Sequence, residues 1–142
     1  MKTVEQVLRG KSDELVAVGP DESVFDALAL MARREVGAVV VLEAGRLVGI
    51  LSERDYARKI ILLGKASKDT PVRDIMTPRV VCVTPATTID ECMALMTDKR
   101  CRHLPVLEGD RVTGVVSIGD VVKHTIAEQQ FIIEQLEHYI MG

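Results

Sequence analysis

The sequence contains no tryptophan, and Phe, Tyr and Trp together make up 3% of its 142 residues. A core at this length must therefore be built from Val, Leu, Ile, Met and Ala, which suits strands packed against helices. Cysteine is scarce as well. Cys82, Cys92 and Cys101 are an odd number without a disulfide-framework spacing, and they fit a reducing compartment. No CxxC or HxxxH pair gathers ligands locally, so Cys92, Cys101 and His103 read as buried thiols and a strand-end histidine, and no metal is expected. No apolar run reaches membrane-spanning length. The opening MKTVEQVLRGKSDELVAV carries charge throughout, unlike a signal peptide, so the expectation is a cytoplasmic protein without a membrane partner. A net charge of −3 offers no general attraction for nucleic acid. There is no Gly-rich P-loop and no GxGxxG, and His103, His124 and His138 have no evident Ser or Cys partner for a triad. Catalysis is not expected, and no catalytic residue is assigned.

What the chain does contain is a repeat. Displaced by 65 residues, Val16 to Lys59 aligns without a gap on Val81 to His124. Val16, Val18, Pro20, Ala29, Leu30, Met31, Val41, Leu42, Glu43, Arg46, Gly49, Ser52 and Asp55 have identical partners in the second copy. Two such units point to two halves packed on each other rather than to a solenoid. In each half a short strand is halted by proline (LVAVGP, VVCVTP), and a helix starts at Ser23 or Thr88. A hairpin follows through EAGR or EGDR, and a second helix starts at Glu53 or Ile118. Each unit therefore reads β-α-β-β-α. Thr3 to Arg9 is predicted to form a short leading helix, and Gly64 to Thr77 is a polar connection. Ile126, Ile133, Leu136 and Ile140 recur at helical spacing in a C-terminal segment that packs either on its own core or on a partner.

The two copies end alike, in GILSERD (Gly49 to Asp55) and GVVSIGD (Gly114 to Asp120). As a helix cap, Ser52 or Ser117 would accept from an amide one turn on, but a cap does not account for the glycine. Gly49 or Gly114 late in a strand weakens the sheet unless another body approaches the backbone closely. On a ligand reading, the serine lies at a helix start where an anion is favoured, and Asp55 or Asp120 accepts from the vicinal diol of a ribose. A ribonucleotide suits this set; a plain cap is the alternative.

The doubled Gly-x-x-Ser-x-x-Asp and the stretch VRDIMTPRVVCVTP resemble a tandem pair of cystathionine beta-synthase domains, a CBS pair or Bateman module. The resemblance covers roughly residues 5–130. It implies an α/β (α+β) fold of two β-α-β-β-α repeats, packed through their sheets about a pseudo-twofold axis. Repeat 1 would span 5–64, a linker 65–77, repeat 2 71–130 and a C-terminal amphipathic helix 126–142. It further implies two clefts that bind adenosine-containing ligands such as AMP, ADP, ATP or NAD, and a sensing role. Carried over by position, Asp55 and Asp120 are ribose-binding, Ser52 and Ser117 lie on the phosphate side, and Arg54 and Gly119 stand just before each aspartate. Lys11, Ser12 and Val16 would lie near Asp120, and Met76, Thr77 and Val81 near Asp55. Gly37-Ala38 and Arg102-His103 would flank the base or reach phosphate. Because Arg54 and Arg58 share a helix face, the Asp55 cleft is expected to take the more highly phosphorylated ligand. A homodimer and an unidentified regulated protein are the expected partners, with a ligand-free dimeric scaffold as the competing reading. The chain looks like a stand-alone subgroup of bacteria and plant organelles.

Overall fold

The computed structural model describes residues 2–11 and 14–141. A leading helix α1 (Val4–Arg9) is followed by β1 (Ala17–Val18), α2 (Val24–Arg34), β2 (Ala38–Glu43), β3 (Arg46–Ser52) and α3 (Glu53–Tyr56). The second half contains α4 (Ile89–Lys99), β4 (His103–Glu108), β5 (Arg111–Ser117) and α5 (Ile118–Met141). Local chemistry sets the helix starts. Ser23 Oγ accepts from the Asp26 amide at 3.0 Å, while Thr3 with Gln6 and Thr88 with Glu91 form reciprocal capping boxes. These side chains satisfy amides that the first turn cannot pair internally. The hairpins close over two residues each, with Glu43 opposite Arg46 and Glu108 opposite Arg111. Ala44 (φ 51°) and Gly45 (φ 78°) are both left-handed, the arrangement of a type I′ turn whose twist matches the strands.

The first strand is where the copies diverge. β1 runs parallel to β2, with Ala17 opposite Val40 and Val18 opposite Val41. The counterpart expected in VVCVTP does not form a strand and keeps only the bridge between Val83 and Val106. The Val40 amide donates to the Val16 carbonyl at 3.4 Å. Pro105 stands in the place of Val40 and has no N–H to give, so the second ladder loses that bond.

Each half has its own apolar core, and each core is completed by a segment from outside its repeat. Val18, Val24, Ala27, Met31, Val39, Val41 and Leu51 are joined by Val72 and Ile75 of the connection, which forms a 3₁₀ turn at Val72–Asp74. Val83, Ile89, Cys92, Met96, Leu104, Val106, Val116 and Val121 are joined by Val4 and Val7 of α1. The connection is thus polar in composition yet places two residues in the first core. Burial pushes the Cys92 thiol up to about 11, as befits an inert core residue.

A second difference lies at the chain end. The segment expected as a separate C-terminal helix continues the helix of the second repeat, and α5 runs unbroken from Ile118 to Met141. In the first repeat, α3 passes into a π turn over Ala57–Ile61. The distal part of α5 leaves the core: Ile126, Phe131, Leu136, Tyr139 and Ile140 are exposed. Among the described residues no helix is long and apolar enough to cross a membrane.

The motif glycines are explained by this exchange of segments. A Cβ on Gly49 would meet Met76 Sδ at 2.6 Å and the Thr77 carbonyl at 3.1 Å; one on Gly114 would meet Leu8 Cδ2 at 2.9 Å. The close-approaching body is the chain itself. Gly49→Ala should cost about 1–3 kcal/mol, since backbone as well as side chain must move. Gly114→Ala should cost less, because a leucine tip can turn away, and Leu8→Ala should relieve it. Urea denaturation of the single and double variants measures both effects, and additive losses at Gly114 and Leu8 would contradict the contact.

Candidate functional site

A cleft of about 610 Å³ opens between the repeats, within the range of small-molecule sites. The first repeat contributes Leu15, Val16, Arg34, Val36, Gly37 and Ala38, and α1 with its following turn contributes Leu8 and Lys11. The second repeat supplies Arg102, His103, Gly114, Val115, Ser117, Gly119 and Asp120. The structure therefore gathers Lys11, Val16, Gly37, Ala38, Arg102, His103, Ser117, Gly119 and Asp120 around one space. Ser12, assigned to the same site from the sequence, lies outside the described residues.

At the start of α5 the capping and ligand readings coexist. The Asp120 amide donates to Ser117 Oγ at 3.2 Å, and the Ser117 amide donates to Asp120 Oδ2 at 2.9 Å. The Ile118 amide is taken by the Arg102 carbonyl at 2.8 Å. Gly119, whose first-turn amide has no intrahelical acceptor, lines the cleft. Lys11 Nζ donates to Asp120 Oδ2 at 2.7 Å and to the Val115 carbonyl at 2.8 Å. Burial raises the Asp120 carboxyl, but the Lys11 and Ser117 hydrogen bonds and the Lys11 charge outweigh it, holding the group below the usual carboxylate range. Burial, reinforced by the charge of Lys11, pushes the His103 imidazole down, so it is neutral near pH 7. Arg102 is exposed at the rim and has no carboxylate partner among the described residues, leaving its guanidinium open to an anion.

The Asp55 side has the same plan and a different content. Asp55 Oδ2 accepts from the Ser52 amide at 2.9 Å and from Ser52 Oγ at 3.0 Å, and Asp55 Oδ1 accepts from Thr77 Oγ1 at 3.2 Å. Lys59 Nζ lies 3.2 Å from Asp55 Oδ1. The carboxylate is enclosed by its own chain. Thr77 is bridged to Ile50 in both directions, its amide donating at 2.8 Å and its carbonyl accepting at 3.0 Å, and Met76 lies over Gly49. Arg54 and Arg58 do not meet at this carboxylate. Both are exposed, and Arg54 lines a separate groove with Met93, Arg100, Arg102 and Val122. Val81 packs against the second core. The cation beside Asp55 is Lys59, four residues on, which spacing alone could have supplied.

The sequence reading did not single out Arg34 and Glu14, which pair at the cleft mouth, with Arg34 Nη1 donating to Glu14 Oε2 at 2.5 Å. Arg34 stands in the last turn of α2, three residues before Gly37, and its nearness to an assigned segment was the available signal. Among the described residues no group of His, Cys, Asp and Glu is placed to hold a metal ion.

The family model described as CBS domain matches this chain twice, over residues 4–62 and 72–126. The mitochondrial CBS domain-containing protein CBSX3 of Arabidopsis thaliana is 46% identical over 127 residues, a match covering 86% of this chain and 62% of the plant protein. The chain thus spans less than two thirds of that relative, whose mitochondrial location differs from the cytoplasmic one expected here. A solved signal-transduction protein with CBS domains from Burkholderia ambifaria is 46% identical with a TM-score of 0.86, covering 90% of this chain and 96% of that one. At 20% identity, the fold alone is shared with a CBS domain pair solved in complex with 5′-methylthioadenosine and S-adenosyl-L-methionine. That match has a TM-score of 0.78 and covers 87% of this chain and 99% of the other. With both repeats matched and the two-repeat architecture reproduced, the chain belongs to the CBS domain family, as a tandem CBS pair.

Proposed function

We propose that the chain is a regulatory, non-catalytic module with the cytoplasm as its setting. It senses energy or redox state by binding an adenosine-containing ligand, AMP, ADP, ATP or NAD, and passes the signal on through its dimer or a regulated protein. One observation carries the reading: the inter-repeat cleft sets the Asp120 carboxylate, the Gly119 amide and Arg102, which has no carboxylate partner among the described residues, around a space walled by Leu15, Val16 and Val36. Those groups match a ribose diol, a phosphate and an adenine face. The adenosine ligands of the distant CBS pair support the fold's capacity for such molecules. The Asp120 cleft, rather than the Asp55 side, is the proposed site, because Ser52, Thr77 and Lys59 already occupy the Asp55 carboxylate.

Calorimetric titration tests this directly. One nucleotide should bind per chain. Asp120→Ala should weaken it about ten- to 150-fold, the worth of a hydrogen bond to a charged group. A 2′-deoxy ligand should lose less on that substitution. Asp55→Ala should leave affinity unchanged and lower stability by about 1–3 kcal/mol. Two sites per chain, or equal effects of the two substitutions on affinity, would overturn the assignment.

The exposed apolar face of distal α5 favours a dimer, in line with the apolar surface a monomer seldom leaves in water. Sedimentation should give a dimer at micromolar concentration, and removal of residues 127–142 should weaken it. The same face favours the second reading, a dimeric scaffold without a ligand, which featureless titrations with all four nucleotides would support.

A further inference from the structure

The ammonium of Lys11 makes two hydrogen bonds inside the cleft, to Asp120 Oδ2 at 2.7 Å and to the Val115 carbonyl at 2.8 Å. Two acceptors converging on one small donor are also what a vicinal diol requires, because its neighbouring hydroxyls present two donors a few ångströms apart. On the Asp55 side a lysine of the first repeat's own helix does the pairing: Lys59 Nζ donates to the Ile75 carbonyl at 2.9 Å and lies 3.2 Å from Asp55 Oδ1. In the first repeat the carbonyl of Ile50, equivalent to Val115, is satisfied by the Thr77 amide, and the residue equivalent to Lys11 is Met76, which cannot donate.

We propose that Lys11 is a built-in competitor of the ribose diol, and that a ligand enters by transferring the Lys11 ammonium from Asp120 to its own phosphate. The cleft thereby selects nucleotides over nucleosides. This rests on the adenosine-ligand reading and adds the residue that sets its specificity. The lysine side chain is 36% exposed against 19% for that of Asp120, so the ammonium swings from the cleft edge without unpacking a core. A nucleoside would displace it and leave it without a counter-ion, losing a charge-assisted bond and gaining only neutral ones. A nucleotide restores a charged partner, and Arg102 at the rim supplies a second cation. Asp120, relieved of Lys11, then accepts the diol together with the Val115 carbonyl.

The test compares AMP, adenosine and 2′,3′-dideoxyadenosine on the wild-type chain, Lys11→Met and Lys11→Gln by calorimetry, with thermal melts confirming that the variants fold. Methionine is the chain's own choice at the equivalent position. Wild type should bind AMP at least about tenfold more tightly than adenosine. In Lys11→Met, adenosine should tighten and AMP weaken, bringing the two within about threefold. Lys11→Gln, which keeps a donor without charge, should fall between. Dideoxyadenosine, having no diol to compete, should gain nothing from either substitution. An unchanged preference for AMP, or equal weakening of AMP and adenosine, would overturn the competition while leaving the adenosine site standing. Failure of wild type and both variants to bind AMP and adenosine would remove the site itself, and the competition with it.

Discussion

The contact on which the rest of the molecule depends is that of a side chain from one half lying on a bare backbone in the other. Leu8 occupies the space over Gly114, and Met76 occupies the space over Gly49. Anything that lifts either of these segments from its strand breaks the contact. With it would go the apolar residues that complete each core, Val4 and Val7 on one side and Val72 and Ile75 on the other. The cleft wall depends on the same contact, since Lys11 follows directly on α1 and reaches Asp120 only while α1 is seated.

The duplication kept this contact twice and spent the neighbouring residues differently. On the Asp55 side the segment after Met76 is zipped to β3, and hydroxyl, ammonium and amide donors crowd one carboxylate. On the Asp120 side the Ser117 amide and Lys11 both donate to one carboxylate oxygen, Oδ2, and open volume remains between Val16, Val36 and His103. Two copies of one motif therefore yield one carboxylate tied up in structure and one poised beside space. The difference arises from residues outside the motif.

That is also why the sequence was legible only to a point. The β-α-β-β-α order, the capped helix starts and the pairing of the repeats follow from proline stops, Ser and Thr caps and the 65-residue identity, all local or periodic signals. The loss of a strand in the second copy was available too, since Pro105 cannot give the bond that Val40 gives. The role of the motif glycines was half readable: their spacing called for a closely approaching body but could not say that Leu8 and Met76 supply it. The closure of the Asp55 side rests on Thr77 and Met76, residues whose meaning comes from a contact across more than twenty positions. Arg54 and Arg58, basic and close to the aspartate in the chain, are both exposed, and Arg54 lines a separate groove. Adjacency in sequence did not become adjacency at the carboxylate.

The crossed-over leading segments bear on how the chain acquires its structure. As the polypeptide leaves the ribosome, the first repeat is complete in sequence before Val72 and Ile75 have been made, so it waits with an unfilled core. Helix α1 waits longer, because Val4 and Val7 find their partners only among residues 83 to 121. These are contacts of high sequence separation, which must pay loop-closure entropy before they are rewarded, and neither half can be finished as an autonomous unit. The two repeats are therefore bound to fold as one cooperative body, and a break anywhere between them would leave two incomplete cores rather than two smaller domains.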